Sequence, residues 1–277
     1  MIKIGQTNRL TAVKPIDAGM LLDGGELGRI LLPRRYLPPQ WQPGESLDVF
    51  VYLDSNDEVI ATTLTPKAQV GECALLEVRE VNSTGAFLDW GLPKDLLVPY
   101  SEQHKPMEAG RRYVVCIYLD PYTGRITASS RLNRHLNEKS RQFKPGQAVN
   151  LLICGKTDMG YKAVINHTHL GLIFRDDAFR PLNYGERVKG YIKGVRQDQK
   201  LDLSLQPPAG EGKNLLAEQI LARLRAQGGI SDLTDKSPPE AIYAAYNVSK
   251  GNYKNALSLL YKQRRILIEP DLIRLVE

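Results

Sequence analysis

Glycines that recur in register along the first 206 residues constrain the fold of this chain more than any other feature. In each set, the first glycine precedes a second by 14 residues and a third by 39 residues. The three sets are Gly5, Gly19 and Gly44; Gly71, Gly85 and Gly110; and Gly146, Gly160 and Gly185. Each third glycine is followed by a β-rich run, a turn cluster and a second β-rich run. The repeat predicts three copies of one small all-β unit over residues 1–206.

The size of the repeated unit narrows the choice of fold. Each copy has room for about five short strands, and glycines at strand bends are typical of small, strongly curved barrels. The five-stranded oligonucleotide-binding (OB) barrel fits this description, and an SH3-like barrel is the competing interpretation. We therefore predict a mainly β, multidomain chain that contains three tandem barrels.

The second copy carries a more specific pattern. Its phrases "VGECALLEVREVNSTGAFLDW", "DLLVPYSE" and "GRRYVVCIYLDPYTGRITASS" resemble the RNA-binding domain of ribosomal protein S1. The resemblance is clear in the second copy and weaker in the first and third. It favours the OB barrel over the SH3-like barrel, and it implies that one barrel face binds single-stranded RNA.

Phe87 lies where a strand should turn it away from the barrel core. Successive side chains on a strand point to opposite faces, so Phe87 should face outward if Ala86 and Leu88 face inward. An exposed ring lets a base stack on it, which is worth roughly 1–3 kcal/mol per base. The alternative is that Phe87 covers a contact between domains.

The S1 resemblance implies two further RNA-binding residues in the second copy. Asp120 and Arg125 match the acidic and basic positions that flank the last hairpin in that family. An arginine there can reach a phosphate or stack on a base. Two family positions are not matched, because Thr84 replaces an aromatic residue and Pro99 replaces a histidine. We therefore expect this barrel to bind RNA more weakly than a barrel that carries the full S1 pattern.

The other two copies differ at the same positions. The first has Leu21 in place of Phe87 and Glu58 in place of Arg125, and residues 1–65 carry a net charge of −2, which favours a structural role. The third is basic, with a net charge of +3 over residues 145–206. Its candidate RNA-binding residues are Tyr161, Lys162, Lys193 and Lys200. A solvated basic strand is an equally good interpretation of the third copy.

The pattern becomes helical after the Pro/Gly-rich segment "QPPAGEGK". The first predicted helix is outlined by Leu215, Leu216, Gln219, Ile220 and Leu224. The phrase "SPPEAIYAAY" opens a second helix, "NVS" is a turn, and "SKGNYKNALSLLYKQRR" is a third helix. "RILIEPDLIRLV" then forms two strands around a turn. Three helices followed by a hairpin is the order of a winged helix, in which the third helix is the recognition helix.

Two faces of this third helix have different chemistry. Its apolar stripe consists of Tyr253, Ala256, Leu257 and Leu260, at the spacing of a buried face. The candidate nucleic-acid contacts of the helix are Lys250, Lys254, Lys262 and Arg265. They fit a contact with RNA, duplex DNA, a protein or the barrels.

Three S1-type domains followed by a winged helix resemble the conserved virulence factor B (CvfB, YitL-like) family of bacteria. Phrases such as "VFVYLDSNDEVIATT" and "SKGNYKNALSLLYK" carry the resemblance. The predicted domains are residues 1–65, 66–132 and 143–206 for the barrels and 213–277 for the winged helix. The resemblance implies a cytoplasmic RNA-binding protein that influences gene expression, including that of virulence genes.

No catalytic motif accompanies this pattern. Asp176 and Asp177 are adjacent and have no third acidic partner nearby in sequence, whereas metal-dependent hydrolysis needs converging carboxylates. His167 and His169 should share one strand face, a spacing that can bind zinc, yet no further ligand lies near them. We therefore predict a protein that is not an enzyme and has no metal and no cofactor.

The cysteines and the hydrophobic segments indicate the cellular compartment of the protein. Cys73, Cys116 and Cys154 are far apart and lie in apolar segments, so we predict buried free thiols and a reducing compartment. Neither a signal peptide nor a membrane-spanning run is apparent, which predicts a cytoplasmic protein with no membrane partner.

Two functional interpretations remain open. The first is a noncatalytic regulator that holds single-stranded RNA on its barrels and gains basic surface, or a protein contact, from the winged helix. The second is a winged-helix transcription regulator that binds duplex DNA and uses its barrels as a sensor or dimerisation arm. Phe87, Asp120 and Arg125 favour the first.

Overall fold

The computed structural model describes residues 1–178, 180–206, 211–246 and 248–276, with the side chains at 176 and 211–215 outside that description. The chain forms two compact units, residues 1–137 with 166–170 and residues 138–165 with 171–277. The first unit holds two barrels, and the second holds a third barrel and the winged helix. The predicted fold class is thereby confirmed.

The three barrels share one strand order. The first is closed, in the order β1-β2-β3-β5-β4, and comprises β1 (Gln6–Ile16), β2 (Gly19–Asp23), β3 (Arg29–Pro33), β4 (Ser46–Leu53) and β5 (Val59–Thr62). The second is a five-stranded sheet, in the order β10-β9-β6-β7-β8, of β6 (Cys73–Val81), β7 (Gly85–Asp89), β8 (Leu96–Pro99), β9 (Arg112–Leu119) and β10 (Ile126–Ser129). The third is closed, in the order β11-β12-β13-β15-β14, and comprises β11 (Ala148–Lys156), β12 (Gly160–Ile165), β13 (His169–Phe174), β14 (Arg187–Val195) and β15 (Leu201–Ser204). Two one-turn helices follow β10 and β13, namely α1 (Leu132–His135) and α2 (Arg175–Ala178).

The second glycine of each repeat is required by a close approach between strands. A Cβ atom at Gly19, Gly85 or Gly160 would lie 2.1, 2.3 or 2.0 Å from a carbonyl oxygen of the next strand. No larger residue fits without moving that strand. The first strand of every barrel also carries a bulge at the corresponding position, where the pairing register shifts. Glycine and bulge together let a short sheet curl into a barrel.

One strand of the first barrel contributes to the hydrophobic cores of both barrels in the first unit. Strand β4 is buried on both faces: Val49 and Val51 point into the first barrel, while Phe50 and Tyr52 pack with the core residues of the second. The rings of Phe50 and Trp90 meet edge to face, with centroids 5.6 Å apart. This packing fixes the β4–β5 hairpin of the first barrel beside the second barrel.

The winged helix consists of α3 (Glu211–Ala226), β16 (Ile230–Ser231), α4 (Pro239–Tyr246), α5 (Lys250–Lys262), β17 (Ile266–Ile268) and β18 (Ile273–Leu275). Its sheet has the order β16-β18-β17, so it contains one short strand more than the sequence predicted. The side chain of Ser249 caps α5 by accepting a hydrogen bond from the backbone N–H of Asn252. Tyr253 and Leu260 of the predicted stripe are fully buried in the winged-helix core.

One prediction for this region is wrong, and several others concern residues outside those that the structure describes. Gln219 was placed on the buried face of the first helix, but it is exposed, and Leu221 is buried instead. The linker residues 207–210, the turn residue Asn247 and the side chain of Leu215 lie outside the described residues. No helix of the described chain is long and apolar enough to cross a membrane.

The prediction of three free thiols is wrong for two of them. Cys73 and Cys116 form a disulfide, although 43 residues separate them. They lie directly opposite each other on β6 and β9, with Cα atoms 4.0 Å apart. Spacing along the chain could not indicate this pairing, because β7 and β8 intervene. Cys154 is free, and burial raises the pKa of its thiol to about 12.

The predicted arrangement of His167 and His169 on one strand face is also wrong. His167 lies in the β12–β13 turn with a φ of 63°, and its Nδ1 accepts a hydrogen bond from the backbone N–H of Cys73 at 3.0 Å. His169 is buried at the start of β13. Among the described residues, no group of three or more His, Cys, Asp or Glu side chains could hold a metal ion.

Candidate nucleic-acid interface

Phe87 lies on the outer face of β7. Its neighbours Ala86 and Leu88 are fully buried, whereas the Phe87 ring is partly exposed. The ring lines a cleft of about 640 Å³, and Asp120 and Arg125 line the same cleft. The three residues that the S1 resemblance singled out are therefore brought together.

The cleft lies between the second barrel and the β4–β5 hairpin of the first, both of which belong to the first compact unit. Tyr52 from β4 and Trp90, directly after β7, add aromatic surface to it. The indole N–H of Trp90 donates to the carbonyl oxygen of Lys94 at 2.6 Å, which holds the loop between β7 and β8 against the cleft. Phe87 thus contributes to a cleft between two barrels and still exposes part of its ring.

Arg125 is held by a residue of the other barrel. Its guanidinium forms an ion pair and hydrogen bond with Asp57, in the β4–β5 turn. That hydrogen bond is the main reason that the pKa of Asp57 is lowered. Lys94 lies 3.7 Å from the same carboxylate and donates to the carbonyl oxygen of Leu53. Both cations of the cleft are therefore engaged by the first barrel.

The cleft is acidic overall, because four carboxylates and only two cations line it. The carboxylates are those of Asp57, Glu80, Asp95 and Asp120. Asp120 accepts a hydrogen bond from the backbone N–H of Tyr122 at 2.8 Å, which lowers its pKa. Such a surface suits a stacked base, whose polar edge carries N–H donors, better than it suits a row of phosphates.

One exposed residue near the cleft, Tyr122, was missed from the sequence. Tyr122 is 96% exposed at the tip of the β9–β10 hairpin, between Asp120 and Arg125 in sequence. An exposed aromatic ring in a turn is a second place where a base can stack. The aromatic residue in "LDPYTGR" was the available signal. Thr84 and Pro99, the two departures from the S1 pattern, also line the cleft.

The hairpins of the three barrels are equivalent in their backbone pairing. In each, the residue before the turn donates its N–H to the carbonyl oxygen of the residue after it: Asp54 to Glu58, Asp120 to Arg125 and Arg196 to Lys200. The third barrel therefore has a cation at both positions.

A carboxylate lies within ion-pair distance of each of the three lysines predicted to bind RNA in the third barrel. Lys162 faces Glu138 at 3.3 Å, and Lys193 faces Asp177 at 2.8 Å. Lys200 lies 3.9 Å from Asp198. Tyr161 lies elsewhere, in a separate pocket of the second unit.

The cations of the winged helix are only partly free. Lys254 lies 3.9 Å from Asp235, and Arg265 donates to Glu218 at 2.7 Å. Lys250 donates to the carbonyl oxygen of Lys236. Lys262 has no carboxylate within ion-pair distance among the described residues. The basic face of α5 is therefore weaker than its sequence indicates.

Comparisons with known proteins match both ends of this architecture. The family model of the S1 domain matches residues 4–64, which form the first barrel, and that of the CvfB-like winged helix domain matches residues 218–275. The S1 match thus falls on the barrel whose outer positions depart most from the RNA-binding pattern, rather than on the second barrel.

Two bacterial relatives align with most of this chain. The uncharacterized protein YitL of Bacillus subtilis is 28% identical over 282 residues, which cover 96% of this chain and 91% of YitL. Conserved virulence factor B of Staphylococcus saprophyticus is 28% identical over 251 residues, which cover 85% of this chain and 81% of that protein. A crystal structure described as a multidomain protein with nucleic acid binding domains, from Streptococcus pneumoniae, is 23% identical with a TM-score of 0.41, covering 99% of this chain and 98% of its own.

Proposed function

We propose that this chain, which is similar to conserved virulence factor B and YitL over most of its length, is a noncatalytic protein that binds single-stranded RNA and regulates gene expression. The observation that carries the proposal is the cleft in which Phe87, Asp120 and Arg125 converge. Nucleic-acid binding is the common property of S1 domains and winged helices. That the nucleic acid is RNA, and that it is single-stranded, goes beyond this common property and is part of the proposal.

The shape of the site supports a single strand. Bases of a duplex are stacked on each other and cannot enter a cleft beside Phe87, whereas unpaired bases can be splayed out onto an exposed ring. Arg125 would reach the adjacent phosphate once its contact with Asp57 opens. Tyr122 would extend the surface by one more base.

The other residues predicted to bind nucleic acid would add positive charge outside the Phe87 cleft. Tyr161, Lys162, Lys193 and Lys200 would contribute from the third barrel, and Lys250, Lys254, Lys262 and Arg265 from the winged helix. Ion pairing reduces the attraction of most of them for phosphate at a distance. We therefore assign the affinity mainly to stacking and only secondarily to electrostatics.

A winged-helix transcription regulator that binds duplex DNA is the alternative function. The winged helix itself favours it, with α5 as the element that would enter the major groove. Lysine and arginine suit phosphates, and α5 has few side chains of the kind that read base edges. DNA binding without sequence preference is therefore the most that α5 supports.

One comparison tests the proposal against its alternative. The affinities of the full chain for single-stranded RNA and for duplex DNA are measured side by side at one stated salt concentration, then repeated across a salt series. We expect RNA to bind more tightly, with log K falling by about 0.7 per phosphate contact for each decade of salt. Tighter and sequence-specific binding of duplex DNA would replace the proposal with the alternative.

The proposed location is the cytoplasm, where a bacterial RNA regulator meets its ligands. Thiols are kept reduced in that compartment. The proposal therefore implies that Cys73 and Cys116 are two thiols in the growing cell and pair when the protein is oxidised. Mass spectrometry after rapid alkylation of cells would distinguish the two states.

A further inference from the structure

A second pocket, in the second compact unit, has the opposite charge to the Phe87 cleft. Its volume is about 360 Å³, and its described lining consists of Lys156, Gly160, Tyr161, Arg175, Arg180 and Pro181. Three of these six residues are cations, and none is a carboxylate. Of these residues, only Tyr161 was predicted from the sequence to bind RNA.

Two neighbouring strands and the segment that follows β13 assemble this pocket. Lys156, at the end of β11, pairs with Tyr161, at the start of β12. The backbone N–H of Arg175 donates to the carbonyl oxygen of Met159, which fixes the start of α2 against the β11–β12 hairpin. The position of Lys156 and Arg175 is thus set by the backbone of the barrel.

The third cation is oriented by its own contacts. Arg180 donates to Glu186 and to the carbonyl oxygen of Pro181, and its guanidinium lies 5.4 Å from the centre of the Tyr243 ring. Glu186 compensates its charge, but a guanidinium has five N–H donors and can serve a further acceptor. Arg180 is therefore a positioned donor and not a freely moving one.

Lys156 and Arg175 differ from the three lysines that the sequence predicted as RNA-binding residues of the third barrel. Lys162, Lys193 and Lys200 each face a carboxylate. By contrast, Lys156 and Arg175 are exposed and have no carboxylate within ion-pair distance among the described residues. Two uncompensated cations and a fixed guanidinium around one pocket are the arrangement that recognises a compact, multiply charged oxyanion.

We propose that this pocket binds a phosphate group, held by Lys156, Arg175 and Arg180 beside the Tyr161 phenol. The ligand can be the terminal phosphate of an RNA, an internal phosphodiester or free phosphate, since all present the same oxygens. Where the phosphate belongs to RNA, the inference rests on the proposed function. Binding of free phosphate stands without it.

Inorganic phosphate is the direct probe of the pocket. It is titrated into the full chain, with chloride at matched ionic strength as reference, while the backbone amide signals of Gly160 and Tyr161 are followed by NMR. We expect both signals to shift with phosphate and to lose that response in the double variant Lys156→Gln, Arg175→Gln. The matched control is Lys139→Gln, Arg141→Gln, which removes one exposed lysine and one exposed arginine outside the pocket and should respond as the unchanged chain does.

An absence of response in the unchanged chain, or an undiminished response in the double variant, overturns the inference. Equal melting temperatures of the two double variants establish that folding is not the cause of any loss. Phe87→Ala should leave the phosphate response intact, so that failure of the pocket and failure of the RNA proposal are separable.

The source of the phosphate is distinguished with two versions of one oligoribonucleotide, with and without a 5′-phosphate. A preference of about tenfold for the phosphorylated strand, lost in the double variant, assigns the pocket to a terminal phosphate. Equal weakening of both strands in the double variant assigns it to an internal phosphodiester. Unchanged RNA affinity together with a lost phosphate response assigns it to a free phosphate ligand.

Discussion

Asp57 of the first barrel accepts a hydrogen bond from the guanidinium of Arg125 on the second barrel, at the edge of the cleft lined by Phe87. The hairpin that carries Asp57 is fixed in place by the packing of Phe50 on Trp90. The first barrel therefore modifies the second, because its carboxylate compensates the cation that a phosphate would otherwise meet. If the cleft binds RNA as proposed, a barrel that lacks the RNA-binding pattern would still influence RNA affinity.

Replacing Asp57 by Asn should tighten RNA binding. Asparagine tolerates the left-handed backbone of this position, where φ is 62°, and removes the charge that opposes phosphate. We expect a rise in affinity of up to about fivefold, in keeping with the small effects of exposed ion pairs. Fluorescence anisotropy with a labelled single-stranded RNA measures it. Asp48→Asn removes an exposed carboxylate of the same barrel outside the cleft, and equal effects of the two changes would contradict the role of Asp57.

Phe87→Ala tests stacking in the cleft. The change should weaken RNA binding by roughly 1–3 kcal/mol and leave the melting temperature nearly unchanged, because the ring is partly exposed. Its neighbour provides the matched control: Leu88 is fully buried, so Leu88→Ala should destabilise the fold by about 2–5 kcal/mol. A large loss of stability in Phe87→Ala with intact RNA affinity would assign the ring to the contact between barrels.

The repeated glycines and the helix periodicity, together with the resemblance to the S1 domain, were enough to predict the fold class. A Cβ atom at Gly19, Gly85 or Gly160 would lie only 2.0 to 2.3 Å from a carbonyl oxygen of the neighbouring strand, so the spacing of these glycines is tied to the barrel itself. The stripe from Tyr253 to Leu260 likewise follows the period of a buried helix face. Such signals are local, and a single sequence carries them.

The contacts that join separate repeats could not be predicted in the same way. Nothing near Asp57 in the sequence points to Arg125, and nothing near Cys73 points to Cys116, because strand pairing and barrel packing bring them together. Phe87, Asp120 and Arg125 were found because a family pattern marks them, whereas Lys156 and Arg175 belong to no such pattern. Counting charges along the sequence also overestimated the number of cations available to phosphate, because Lys193 and Arg265 are paired with carboxylates.

The winged helix should contribute unevenly to RNA binding. Lys262 has no carboxylate partner among the described residues, whereas Lys254 lies near Asp235. If α5 contacts phosphate, Lys262→Gln should lower the salt slope of RNA binding by about 0.7, and Lys254→Gln should lower it less. Binding isotherms at four salt concentrations give these slopes. Slopes unchanged in both variants would remove α5 from the RNA surface.

The disulfide should raise the stability of the oxidised protein. Closing a loop across a sequence separation of 43 residues restricts the unfolded chain and is worth about 4 kcal/mol in the chain-entropy model. Urea unfolding with and without reductant measures the difference. Cys154→Ser keeps the pair and should show the same difference, whereas Cys116→Ser should show none. After denaturation, the oxidised protein should offer one reactive thiol, and three would show that the pair had not formed.

Ultraviolet crosslinking of the full chain to single-stranded RNA, followed by mapping of the crosslinked peptides, tests the central proposal most directly. Trypsin cutting after Arg79 and Lys94 releases residues 80–94, the peptide that contains Phe87. The proposed function predicts that this peptide carries a major crosslink, and that Phe87→Ala removes it while other crosslinks persist. Crosslinks confined to residues 249–276 of the winged helix, with none in residues 80–94, would contradict it.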